Sequence, residues 1–195
     1  MSPDPSAFTN GVDTRTRGVE LTAVYPTELS FAHVDWSLSA NYNRTTVTRN
    51  RIGSLLSPIA IGDLETASPR FKTILGLNAK RGPVSLTLRE TLYGPSRTLV
   101  SPSGAAPFYD AKVGTALITD LEVTYATRLG VDISFGANNL FDRRPETAGN
   151  VPGSPITPTA GPVTIGGAQV YNAPFVFSPY GINGGSYYGR LTVHF

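Results

Sequence analysis

Few residues in this 195-residue chain have the type and setting for chemistry: two histidines, His33 and His194, four carboxylates, Glu20, Asp120, Glu122 and Asp132, and the arginine pair Arg143–Arg144. A metal site would need further histidines or carboxylates converging on either imidazole, and hydrogen bonding on a polar face is the simpler role for both. Acid/base work would need paired carboxylates beside a nucleophile or in a site that raises a pKa. Here each carboxylate alternates regularly with apolar residues, which describes the polar face of a strand. Hydrogen-bonded or arginine-paired wall residues are the better reading for all six. Arg143 and Arg144 could attract an anionic ligand or close a strand with loop salt bridges. Tyr171, Phe175, Phe177 and Tyr180, in a Gly/Pro-rich stretch, could stack on a flat ligand or pack that stretch upon itself. With no cysteine, thiolate chemistry and disulfides are excluded. No catalytic centre emerges, and no cofactor or metal is expected.

The elements that carry these residues are strands. Residues 14–25 alternate Val19, Leu21, Ala23 and Tyr25 with Gly18, Glu20, Thr22 and Val24, and Pro26 is expected to stop them. After a turn at 26–29, residues 30–49 place Ala32, Val34, Trp36, Leu38, Ala40 and Tyr42 opposite His33, Asp35, Ser37, Ser39, Asn41 and Asn43. A helix cannot use that pattern; a strand with one apolar and one wet face can. The device repeats in 71–80, 84–92, 117–125, 131–138 and the C-terminal stretch, where Tyr187, Leu191, Val193 and Phe195 share one parity. Glu90 falls on the apolar parity and fits poorly there. The chain therefore reads as seven strands.

Connections alternate short and long: 26–29, 81–83 and 129–130 against about 50–69, about 98–112 and 142–185. A membrane β-barrel sorts its loops this way, and a soluble sandwich has no reason to. Hydrophobic residues are 40% and charged residues 15%, low for a soluble domain, and no window approaches about 20 apolar residues, so a membrane helix is excluded. A net charge of +2 with scattered basic residues does not suggest a nucleic-acid partner.

The stretch GVDISFGANNLFDRRP, followed by SPYGINGGSYYGRLTVHF, resembles the C-terminal end of the TonB-dependent outer-membrane receptors. In that family an N-L-F-D motif closes the penultimate strand, matched here by Asn139, Leu140, Phe141 and Asp142, and the last strand ends in an aromatic residue, matched by Phe195. RGVEL at 17–21 followed by a Pro-containing turn and a long S-x-S-x-N-Y strand is similar to the family's late strands.

The resemblance implies an all-β fold: antiparallel transmembrane strands, about seven C-terminal strands of a barrel of about 22. Residues 1–195 would be a C-terminal fragment without plug or TonB box, and Met1 an internal or artificial start. The implied function is TonB-energised uptake of a scarce ligand, a ferric siderophore foremost, with haem, cobalamin and glycans sharing such strands. The implied partners are outer-membrane lipid, the TonB system through the N-terminal part, the extracellular small ligand, and the barrel assembly machinery, which would read Tyr187, Leu191, Val193 and Phe195. The location is the bacterial outer membrane, with the long loops outside. A non-transporting β protein, structural, adhesive or a soluble sandwich, is the alternative.

Overall fold

The computed structural model describes residues 10–101, 106–148, 151–153, 163–165, 168–170 and 172–194. The framework is β1 (Val12–Leu29), β2 (Ala32–Asn50), β3 (Phe71–Arg81), β4 (Val84–Tyr93), β7 (Ala116–Ala126), β8 (Val131–Asn138) and β11 (Ser186–Val193). They form one antiparallel seven-stranded sheet in that order. The sheet does not close: β1 and β11 stand at its two edges. These are the seven strands legible as period-2 alternation.

The register turns the alternation into rows. Tyr25, Trp36, Leu77, Leu88, Leu121, Ala137 and Tyr187 lie directly opposite one another across all seven strands. The next row is Thr27, Val34, Ala79, Leu86, Val123, Phe135 and Gly189. Opposed residues share a face, so one side of the sheet is apolar from edge to edge. None of the described residues covers much of it: Phe135 is 70% exposed, as is Leu191. Glu90 does fall on this side, opposite Leu75 and Thr119. The Thr119 hydroxyl lies 2.9 Å from each carboxylate oxygen of Glu90, which gives the misplaced acid a partner.

Three expectations about connections need correction. Pro26 does not stop β1; it pairs with Asp35, and the turn is Ser30–Phe31 rather than 26–29. Proline is tolerated because β1 is an edge strand, where a missing N–H need not cost a ladder bond. The connection from β7 to β8 is Thr127–Gly130, not only Leu129–Gly130, and Thr127 N–H donates to the Val131 carbonyl. The stretch at 98–112 is not plain loop: it holds the hairpin of β5 (Ser96–Val100) and β6 (Tyr109–Val113). A further short pair joins β9 (Val163–Ile165) to β10 (Ala168–Val170).

The stretch at 50–69 also has structure. A 3-10 turn at Gly53–Leu55 leads to the helix α1 (Pro58–Glu65). Ser57 caps it, its hydroxyl accepting from Ala60 N–H at 3.1 Å, and Pro58 occupies the first turn, where it forfeits no helical bond. Antiparallel order puts α1, the β5–β6 hairpin and the 139–185 connection at one end of the sheet. The three short turns lie at the other.

Candidate functional site at the long-loop end

The connections at this end pack on one another. α1 lies against β5: the Thr98 hydroxyl donates to Asp63 Oδ1 at 2.6 Å, Arg97 N–H donates to the Thr66 carbonyl at 2.8 Å, and the Thr66 hydroxyl donates to the Arg97 carbonyl at 2.6 Å. From the other side Ala111 and Val113 of β6, both fully buried, pack with Val151 and Phe175 of the long connection. Glu146 Oε1 accepts from Gly114 N–H, tying the same two segments.

Between these parts lies a cavity of about 570 Å³, lined among others by Tyr42, Arg70, Phe71, Ser96, Arg97 and Lys112. Asp110 pairs with both Arg97 and Lys112, the latter at 3.3 Å. Arg70 has no ion pair among the described residues. Ser96 is buried, and its hydroxyl has no hydrogen-bond partner there. Cationic groups, two aromatic rings and an unpartnered hydroxyl give the cavity the means to hold a small polar or anionic group. None of these six residues stands out in the sequence, because they come from β2, β3 and two connections that only the fold assembles.

The residues that do stand out have other places. Phe175 is in the loop core, stacked on Phe177 with ring centroids 5.1 Å apart. Tyr180 packs at the edge of that core, 5.9 Å from the Tyr93 ring, and burial pushes its phenol pKa up. Arg144 Nε lies 3.2 Å from Asp142. Tyr171 and Phe195 lie outside the described residues.

The N-L-F-D residues form a clamp at the top of β8. Asn139 and Asp142 both adopt positive φ, 51° and 52°, a left-handed conformation that Asn and Asp tolerate better than most residues. Asn139 is buried; its Oδ1 accepts from Arg143 N–H at 2.9 Å and its Nδ2 donates to the Arg143 carbonyl at 2.7 Å. Its own N–H donates to Asp120 Oδ1 at 2.8 Å, and Leu140 N–H to the Thr119 carbonyl, fastening the turn to β7. Asp142 Oδ1 accepts from Gly185 N–H at 2.8 Å, and the Tyr187 hydroxyl donates to the Leu140 carbonyl at 3.1 Å. Those bonds fasten the same turn to β11. Gly185 must be glycine: a Cβ there would lie 2.7 Å from the Asn139 carbonyl oxygen. Phe141 projects into solvent.

Below the clamp the polar face is a hydrogen-bonded wall. Arg89 reaches Asp120 Oδ2 through Nη2 at 2.6 Å and Nε at 2.9 Å. Glu122 accepts from Arg190 at 2.6 Å and from the Tyr188 hydroxyl at 2.8 Å. The Tyr188 ring reaches it by lying across Gly136, where a Cβ would meet Cζ at 2.3 Å. At the short-turn end, His194 Nε2 is 2.9 Å from Asp132 Oδ2, and His33 lies between Glu28 and Asp35. Among the described residues no group of three or more His, Cys, Asp or Glu converges as a metal site. Tyr187, Leu191 and Val193 are exposed on the apolar face of the edge strand β11.

No family model matches the chain, and no curated protein matches it. A solved structure described as the FpvAI–pyocin S2 complex is similar in part. It is 16% identical over 69% of this chain, with a TM-score of 0.48, and the match spans 16% of that chain's length. A likeness of that extent fixes neither family nor function.

Proposed function

We propose that the chain forms part of the wall and mouth of a β-barrel receptor in a bacterial outer membrane. The observation that carries this reading is the apolar face, continuous over seven strands, largely uncovered, and backed by a wall of ion pairs and hydroxyls. A soluble monomer rarely exposes apolar surface on that scale; a barrel wall presents it to lipid and turns its polar side to a wet lumen. Strand lengths agree. From Val19 to Leu29 at about 3.4 Å per residue is about 34 Å, which a tilt of about 40° projects to roughly 26 Å, close to the apolar band of such barrels.

In this reading the long-loop end is extracellular, and its packed connections meet a scarce small ligand, a ferric siderophore in its most specific form. Coupling to the TonB system belongs to the plug of such a receptor. β11 would be read by the assembly machinery through strand addition, in which backbone hydrogen bonds supply affinity and alternate side chains supply specificity.

The test uses the single tryptophan. Trp36 sits mid-sheet on the apolar face, so after folding into vesicles its fluorescence should be quenched by lipids brominated on the acyl chains. It should be little affected by acrylamide in the water. Strong acrylamide quenching with no bromine effect would overturn the reading in favour of a soluble β module.

A further inference from the structure

Above the apolar band on β1 and β2 the same face changes character. Arg17 lies directly opposite Arg44, and Arg15 opposite Thr46, on the parity of Val19 and Tyr42. These four residues line one cleft of about 220 Å³. All three arginines are exposed, and none is ion-paired among the described residues. Like charges directly opposite each other destabilise a strand pair, so three guanidinium groups around one cleft call for an anion to sit between them.

The position says which anion. The cleft faces outward with the lipid-facing side chains, away from the lumen wall of Arg89, Asp120, Glu122 and Arg190. Arg17 and Arg44 stand one row beyond Val19 and Tyr42, the last apolar row of these strands, which is where acyl chains give way to headgroups. Arginine presents a planar fork suited to bidentate binding of phosphate, and its aliphatic stem can lie along the apolar surface below.

We propose that Arg15, Arg17 and Arg44, around the cleft that Thr46 also lines, form a site for the phosphate of an outer-leaflet lipid headgroup. The site rests on the membrane reading above and adds a fixed lipid to the receptor's outer surface.

The experiment folds the chain into phosphatidylcholine nanodiscs containing either lipid A, a bisphosphorylated acylated disaccharide, or the same lipid with its phosphates removed. Retained glycolipid is measured by native mass spectrometry, and Trp36 quenching by brominated chains is measured on the same samples. Phosphorylated lipid A should be retained in preference to the dephosphorylated form. In the triple variant R15Q/R17Q/R44Q that retention should fall at least about tenfold. R89Q/R190Q, changed on the opposite face, should keep the preference. Excess inorganic phosphate should compete poorly; effective competition would show a free-anion site and overturn the lipid assignment. Quenched Trp36 with equal retention by the parent and the R15Q/R17Q/R44Q variant would overturn the arginine site alone. Loss of Trp36 quenching would overturn the membrane reading and the lipid site with it.

Discussion

Asp142 shows how a short motif acquires meaning from where its atoms go. Its carboxyl is held below the usual carboxylate range by the Gly185 N–H it accepts and, secondarily, by the Arg144 guanidinium. A carboxyl whose folded pKa is depressed contributes in full above its unfolded value, 3.8 here, and loses that contribution as pH falls through the lower folded value. Protection of the Gly185 amide from hydrogen exchange, measured relative to its intrinsic rate, should therefore hold down to about pH 3.8 and decline below it. Asp142→Asn keeps an acceptor without the titration, so its protection should be weaker and flat with pH. Identical profiles for parent and variant would remove the carboxylate from the clamp. The sequence marked Asn139 to Asp142 as a motif by resemblance; what it could not show is that Asn139 and Asp142 are both left-handed, because that depends on bonds to Asp120 and Gly185, far away along the chain.

The strands were legible because one period governs each of them: Trp36 and Leu38 alternate with Ser37 and Ser39 whatever lies beside them. The same alternation sets a prediction. Leu38→Arg should cost about 2 to 4 kcal/mol of folding free energy in lipid vesicles, whereas Ser37→Arg, on the wet face, should cost little. Urea titrations in vesicles would measure both, and equal losses would contradict the assignment of faces. Elements that owe their existence to packing were not legible. α1 has only eight residues, with no amphipathic period to mark it, and is stabilised by its Ser57 cap and its contact with β5. β5 and β6 are five residues each, too short for periodicity to separate them from loop. The basic cavity drew on residues of those same elements and was hidden with them.

Across the whole molecule, the sheet leaves two unpaired edges, β1 and β11, beside an uncovered apolar face. Exposed edges recruit other strands, so this chain alone in aqueous buffer should self-associate and become monodisperse only in detergent or lipid. A soluble monomer with one cooperative unfolding transition, seen by sedimentation and denaturant titration, would contradict that expectation. The clamp has a further consequence at this scale, in the statistics of a flexible chain. Every ladder of the sheet joins strands consecutive along it, but the span between β8 and β11 is by far the longest to close. Closing the 47 residues 139–185 rather than four, at about 0.6 kcal/mol per doubling, loses roughly 2 kcal/mol more of chain entropy. The bonds from Gly185 N–H to Asp142 and from the Tyr187 hydroxyl to the Leu140 carbonyl cross the base of that span. They offset what a freely fluctuating connection would otherwise withdraw, so the loop above the pinch can vary in length without loosening the last strand.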